Sequence, residues 1–557
     1  MKYKLLLFAV CYSSLLSLSG HAQSNPRYLI LFKDKANSPY SVSRPTEFLS
    51  ERAVARRSNQ NIAITENDFP VNPAYVAAIL QTGASVIYSS RWFNGSLVEA
   101  SAAQLASIKN LAFYKGIEQN HALANLTTPS AGLSRIAQTA DTKNTAADLD
   151  YGRMQQQLAL IGVDKLHQKG FHGENMLIAI LDAGFNRADE LTYFKSLFDE
   201  KRIIDTHDFI SREANVYDDD SHGLNVLSTI AAYQPGTMIG AAFKASFALY
   251  RTENVFMESP YEEVTWLLGA ERADSAGVDI LSSSLGYNTF DDEFDSPEYN
   301  YTYQDMDGKT TIISRAARIA TRKGILVVNS AGNEGNKVWR YISAPADVDS
   351  VASIGATTLN KTIAAFSSVG PNAAGQLKPD MAAVGSGTVV GNSTGTGSAT
   401  TSNGTSFSAP QIAGLAAILW QAYPGLSAQQ IITALKKSGS QADNPDNFLG
   451  FGVPDGALAA EIIDNDFTVL STEPDILNSI ILSPNPVQQD LTLTFPAALL
   501  GRKSIISLIL QNGSVVWEKE MVLARSIPVQ TNHLNTGLYL IKINVMNRSK
   551  TLKFIKR

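Results

Sequence analysis

Residues 151–463 predict a doubly wound α/β domain with a mainly parallel sheet, on three observations. Buried parallel strands read as unbroken apolar runs, and such runs recur at Met176-Leu177-Ile178-Ala179-Ile180-Leu181, Val278–Leu285 and Gly324–Ala331. Helical segments separate them, notably Tyr261–Ala276 and Thr310–Arg322, as crossovers between parallel strands require. Residues able to do chemistry stand just past the strands, where open α/β sheets gather their active groups.

The rest of the chain divides around this domain. With 557 residues it is too long for one core. Apolar content of 44% and charged content of 18% fit a globular protein, and a net charge of −6 without a long basic tract points to no nucleic-acid partner. Residues 1–22 carry Lys2 and Lys4, then the apolar Leu5–Val10, then Gly20-His21-Ala22, which reads as a secretory signal peptide. The one cysteine, Cys11, lies inside it. A mature chain without cysteine excludes a thiol nucleophile and Cys-type zinc sites. No later apolar run reaches the roughly 18 residues of a membrane span, so no transmembrane segment is expected.

Residues 23–125 read as a small α+β unit in the order strand, helix, strand, strand, helix, strand: Arg27–Phe32, Thr46–Arg57, Ala84–Ser90, Gly95–Ala100, Ala102–Ile108 and a final strand. Residues 126–150 are rich in Thr, Ser, Ala, Asn and Asp and form an exposed linker, where a maturation cut is expected. A second linker spans 464–476. Residues 477–557 show short strands at Ser479–Leu482, Asp490–Phe495, Ser504–Gln511, Val515–Lys519, Leu538–Val545 and Lys550–Ile555. Asn512-Gly513 is a hairpin signal between two of them, and the unit reads as a small β-sandwich.

Four positions carry the chemistry. Ser406 lies in Gly404-Thr405-Ser406-Phe407-Ser408-Ala409-Pro410 and opens an apolar helix. Unpaired N–H groups and the positive dipole end there favour the oxyanion that a serine nucleophile creates. Pro410 falls inside that helix and should bend or restart it. Asp182 ends the strand Ile178–Leu181, where an acid can orient a histidine. His222 heads a helix with apolar residues at 226, 227, 230 and 231, and Gly223 leaves room beside it. Histidine alone has an unperturbed pKa suited to a general base. His167, His172 and His207 head no such helix and are set aside. Asn333, in Ala331-Gly332-Asn333-Glu334-Gly335, follows a buried strand and offers an amide donor.

These motifs resemble those of the subtilisin-like serine proteases (subtilases), in the order Asp182, His222, Asn333, Ser406. The departures are Ala183 for the usual Ser or Thr, Leu224 and Leu227-Ser228 in the histidine helix, and Phe407-Ser408-Ala409 after the serine. Those after the serine are conservative and leave the nucleophile intact, whereas those in the histidine helix point to altered packing behind the base or to a degraded site. The resemblance implies Ser406 as nucleophile, His222 as base, Asp182 as its orienter and Asn333 as oxyanion donor. Ser284-Leu285-Gly286 resembles the edge that pairs with the substrate backbone. Residues 23–125 resemble the family's inhibitory propeptide, which makes the chain its own intramolecular inhibitor. Leu482-Ser483-Pro484-Asn485-Pro486 and Gly537-Leu538-Tyr539-Leu540-Ile541-Lys542 resemble a type IX secretion sorting domain. That implies export across the outer membrane, to a secreted or cell-surface place.

The expected function is therefore a secreted serine endopeptidase made as a zymogen, acting on protein or peptide substrates through an acyl-enzyme. The alternative is a catalytically inactive binding protein on the same fold. No cofactor is required. Asp291–Asp307 holds seven acids and no Lys or Arg. It reads as a solvated loop, with attraction of basic substrates or Ca²⁺ binding as other roles; Asp305-Met306-Asp307-Gly308 is only a fragment of a Ca²⁺ loop.

Overall fold

A computed structural model describes residues 25–124, 149–467, 476–496, 499–545 and 548–557. The signal segment 1–22, nearly all of the first linker and most of the second lie outside the described residues. The chain divides into two compact units, Met1–Asn465 and Asp466–Arg557.

The first unit begins with a four-stranded antiparallel sheet: β1 (Arg27–Phe32), β2 (Ser85–Ser90), β3 (Gly95–Glu99) and β4 (Tyr114–Ile117), in the order β2-β3-β1-β4. Its helices are α1 (Glu51–Asn59), α2 (Pro73–Gln81) and α3 (Ala102–Lys109). The sequence reading missed α2, although Asn72 caps it through Ala74 N–H and Pro73 opens it. Helix α1 starts later than expected, at Glu51 rather than Thr46, because the Ser50 side chain accepts from Ala53 N–H and sets the first turn there.

Seven parallel strands follow: β5 (Leu177–Asp182), β6 (Ile203–Asp208), β7 (Ser246–Arg251), β8 (Ile280–Ser283), β9 (Leu326–Ser330), β10 (Ala352–Thr357) and β11 (Met381–Val384). Their order is β11-β10-β9-β8-β5-β7-β6. The order reverses between β5 and β8, which puts the crevice of the sheet at their carboxyl ends. Around the sheet lie α4 (His222–Ala231), α5 (Pro260–Ala276), α6 (Ile312–Arg322) and α7 (Thr405–Ala422). Helix α7 is buried almost all round, as its apolar sequence demands, and runs through Pro410 without a break.

The N-terminal region docks on α5 through charge and through apolar contact, Leu29 of β1 and Leu97 of β3 sharing a core cluster with Trp266 and Leu267. Arg56, Arg57 and Arg91 converge on Asp274 of α5, Arg57 at 2.8 Å and Arg91 at 2.5 Å. Burial pushes the Asp274 carboxyl up, but the three guanidinium groups overcome it and hold it below the ordinary range. Glu271 of α5 accepts from Ser90, Arg91 N–H (2.9 Å) and Trp92 N–H (3.2 Å). Further along, Gln119 donates to the Tyr301 hydroxyl at 2.6 Å, and Glu118 pairs with Arg315 at 2.5 Å.

The second unit packs two antiparallel sheets over one apolar core that includes Leu491, Leu493, Ile506, Leu508, Ile541 and Phe554. The expected strands are present, together with one unforeseen strand, Ser526–Gln530. Pro528 hid it, since proline removes a ladder donor. Among the described residues the strand lies at the edge of its sheet, paired only with Asp490–Thr494, where that loss is tolerated. Among the described residues no helix is long and apolar enough to cross a membrane.

Candidate active site

The carboxyl ends of β5, β8 and β9 and the first turns of α4 and α7 meet at one cleft of about 550 Å³, lined among others by His222, Ser284, Leu285, Gly286, Asn333 and Ser406. Asp182, the last residue of β5, is fully buried behind it. Its Oδ1 accepts from His222 Nδ1 at 2.7 Å and from Ala183 N–H at 2.8 Å. His222 stands at the first position of α4 with its side chain 32% exposed. Gly223 makes the pairing sterically feasible: a Cβ there would lie 2.4 Å from the Gly184 carbonyl oxygen and 2.9 Å from Asp182 Cβ.

Burial disfavours the imidazolium, but the Asp182 carboxylate, helped by Glu253 and Asp220, more than offsets it and holds His222 up at about 9. A ring bonded to a carboxylate through Nδ1 presents Nε2 as its basic edge.

The unusual residues of α4 are packing changes. Leu224 is buried. The Ser228 hydroxyl accepts from Gly391 N–H at 2.7 Å and donates to the Asn225 carbonyl at 2.6 Å. Asn225 donates to the Gly391 carbonyl at 2.5 Å. These bonds fasten the helix behind the histidine to the hairpin formed by Thr388–Gly391 and Ala399–Ser402.

Ser406 occupies the second position of α7, whose N-cap is Gly404 at φ +150°, a conformation that L side chains rarely adopt. Its hydroxyl donates to the Ser284 carbonyl at 3.3 Å, and not to His222. The Ser284 hydroxyl donates to the Ser406 carbonyl at 2.8 Å. Asn333 accepts through Oδ1 from the Thr405 N–H at 2.9 Å and the Thr405 hydroxyl at 3.0 Å. A backbone N–H can only donate, so this bond fixes the amide orientation and leaves Nδ2 as the free end. The Thr405 hydroxyl also accepts from Gly332 N–H at 3.2 Å, which ties β9's exit to the start of α7.

Of the residues expected to form a substrate edge, Leu285 already accepts from Asn329 through its carbonyl at 2.9 Å. Gly286 lines the cleft, and a Cβ on it would crowd Ser343 Cβ at 3.1 Å. The histidines set aside lie elsewhere: His167 bonds Tyr151 and the Ala241 carbonyl, His172 sits beside Glu174, and His207 meets Tyr88 of the N-terminal sheet. The acids of the 291–307 loop tie its own turns. Asp295 accepts from Asn300, Asp305 from Thr302, and Asp307 from Lys309 and Thr310. Among the described residues no group of three or more His, Cys, Asp or Glu is arranged to hold a metal ion. The sequence reading missed Asp220, Glu253 and Glu258, which also line the cleft. Glu253 stands two residues past β7, so acids after each strand end would have been the signal.

A buried carboxylate on a histidine, opening on a cleft shared with a serine in the first turn of a helix, is an arrangement able to do serine-hydrolase chemistry on a doubly wound sheet. The family comparison is narrower. Residues 173–452 match the model of the subtilase family, residues 27–135 the peptidase S8 propeptide domain of Bacteroidota, and residues 482–557 the secretion system C-terminal sorting domain. The chain belongs to the subtilase family of serine endopeptidases. It is 28% identical to subtilisin DY of Bacillus licheniformis over 283 residues, which is 50% of this chain and 89% of that protein. It is 28% identical to the M-protease of Shouchella clausii over 329 residues, 59% of this chain and 74% of that protein. Among solved structures, MycP1 from Mycobacterium smegmatis aligns with a TM-score of 0.44 at 20% identity, over 59% of this chain and 89% of that one. The sorting domain marks the protein for export to a secreted or cell-surface location.

Proposed function

We propose that the exported chain hydrolyses peptide bonds of proteins through Ser406, His222 and Asp182, with Asn333 stabilising the oxyanion. The His222–Asp182 hydrogen bond of 2.7 Å, opening on the cleft that holds Ser406, carries this reading.

Rotation about the Ser406 Cα–Cβ bond moves its hydroxyl from the Ser284 carbonyl to Nε2 of His222. The imidazole takes the proton as Oγ bonds to the substrate carbonyl carbon, and Asp182 stabilises the imidazolium. The carbonyl oxygen becomes an oxyanion, met by Asn333 Nδ2 and the Ser406 N–H at the start of α7. As the C–N bond breaks, His222 gives its proton to the departing amine and leaves an acyl-enzyme. Water then attacks the ester with His222 again as base, and the Ser406 hydroxyl is regenerated. Each proton is carried by His222.

Residues 23–125 serve as an inhibitory propeptide, held by the Asp274 and Glu271 contacts on α5 until a cut in 126–150 frees it. The C-terminal unit takes no part in the chemistry and addresses the chain to the secretion machinery. Casein hydrolysis by the mature protein tests the reading, with loss expected in Ser406→Ala and covalent labelling by a serine-directed fluorophosphonate. No hydrolysis and no labelling after propeptide removal would leave a binding protein on a subtilase fold.

A further inference from the structure

We propose that the cleft selects substrates bearing arginine or lysine within two residues of the scissile bond, with Glu253 and Glu258 receiving the cation; this rests on the protease reading above.

The charged groups around the cleft are unbalanced. Asp220, Glu253, Glu258 and Glu334 line it against Lys337 and, below about pH 9, the His222 imidazolium, which is bonded to Asp182. Lys337 is already paired with Glu334 at 2.9 Å. Asp220 caps α4 by accepting the His222 N–H at 2.7 Å. Arg251, a buried cation two residues before Glu253, is committed to Asp208 at 2.8 Å and Asp219 at 2.9 Å. The carboxylates of Glu253 and Glu258 are left without a hydrogen bond or ion pair among the described residues.

Both glutamates sit on the segment that joins β7 to α5, and its backbone is pinned. Glu262 accepts from Asn254 N–H at 2.6 Å and from Ser259 N–H at 3.1 Å. Asp291 accepts from Glu258 N–H at 3.0 Å and donates its own N–H to the Glu258 carbonyl at 2.9 Å. The carboxylates are therefore positioned before any ligand arrives, which lowers the ordering cost of binding. Val255 between them also lines the cleft, and it offers apolar surface for the methylene stem of a long basic side chain.

Leaving two carboxylates half-buried without a cation bonded to them is costly, and burial and neighbouring carboxylates raise the pKa of both. Burial, then Asp182, pushes Glu253 up to about 7, with Asp220 adding to the shift and His222 and Arg251 opposing it. Burial, then Glu253, pushes Glu258 up to about 8, with Asp291 and Glu334 adding and Lys337 opposing. A substrate guanidinium or ammonium supplies the missing charge and ionises both groups as it binds. An acidic substrate side chain meets repulsion at the same place.

The test uses the secreted enzyme freed of its propeptide, with fluorogenic peptides that carry arginine or citrulline at each position within two residues of the cut. Citrulline keeps arginine's shape without its charge. At one position the arginine peptide should exceed its citrulline partner by about tenfold or more in kcat/KM at pH 8. The KM of that arginine peptide should fall between pH 6 and 9 while that of the citrulline peptide stays level. In the Glu253→Gln/Glu258→Gln double variant the ratio should drop below about threefold. Fluorophosphonate labelling of Ser406 checks that the variant is folded. A ratio near one at every position in the unaltered enzyme overturns the proposal, as does an unchanged ratio in a variant that still labels. Hydrolysis of neither peptide, with no labelling, brings down the protease reading and this one with it. Equal hydrolysis of both brings down this one alone.

Discussion

Ser284 and Ser406 brace each other: the Ser284 hydroxyl donates to the Ser406 carbonyl at 2.8 Å, and the Ser406 hydroxyl donates to the Ser284 carbonyl at 3.3 Å. Pro410 is the reason for the first bond. Four residues after Ser406, it has no N–H to give the Ser406 carbonyl, so that buried acceptor needs an outside donor. Ser284→Ala orphans it and should destabilise the mature enzyme by about 1–3 kcal/mol. Denaturant unfolding of fluorophosphonate-blocked enzyme measures the loss.

The reaction should be an alkaline one. His222 works as a base only when neutral, and against the cost of burial Asp182, with Glu253 and Asp220, holds its pKa at about 9. Turnover should climb from pH 7, reach its midpoint near pH 9 and level off only about a unit or more above that. Stability runs the other way. A folded-state pKa above the ordinary 6.5 means the His222 contribution is full below 6.5 and is lost as pH rises through about 9. Glu253→Gln removes a negative neighbour and should move the rising limb toward neutrality; an unmoved pH–rate profile would refute the assignment.

Gly223→Ala should inactivate the enzyme without unfolding it. The added methyl would press on the Gly184 carbonyl and Asp182 Cβ, and the start of α4 must shift to relieve it. A displacement near 1 Å at a reacting group costs about 10²-fold. Casein hydrolysis beside a thermal melt separates that loss from misfolding.

On the proposed mechanism Asn333→Ala removes an oxyanion donor, and it also removes the acceptor for Thr405. Losing one oxyanion donor costs about 10²–10³ in turnover, a magnitude known from the subtilisin example of this family. Most of the effect should appear in kcat, with KM little moved. A change confined to KM would assign Asn333 to substrate binding instead.

Asp274→Asn should weaken the zymogen more than the mature enzyme. In the precursor it leaves Arg56, Arg57 and Arg91 buried against a neutral amide, and breaking such a network costs about 3–5 kcal/mol. On the proposed maturation those arginines depart with residues 23–125. Melting curves of the Ser406→Ala precursor and of the processed enzyme, each with and without Asp274→Asn, measure the difference.

What the sequence disclosed depended on how local the signal was. Apolar runs announced β5, β8 and β9, and the residues just beyond them announced Asp182, Ser284 and Asn333, because strand burial and active-site placement follow one rule. The edge strand Ser526–Gln530 and helix Pro73–Gln81 stayed hidden: Pro528 masked the first, and the second was passed over although Asn72 and Pro73 mark its start. Glu253 and Glu258 were invisible for another reason. Nothing in a glutamate's neighbours along the chain says that its cationic partner is missing; that emerges only when Arg251 and Lys337 are seen to be spoken for. Ser228 looked like a defect in the histidine helix until Gly391 came within 2.7 Å of its hydroxyl.

The first turn of α7 also governs when the site can exist. Asp182 and Ser406 stand 224 positions apart in the chain, and Asn333 is oriented by the Thr405 of that turn. Nascent or partly translocated polypeptide thus holds no cutting edge. The cell that makes this protein is shielded by geometry during synthesis, before any inhibitor acts, because the blade is incomplete until nearly the whole domain has been spun out.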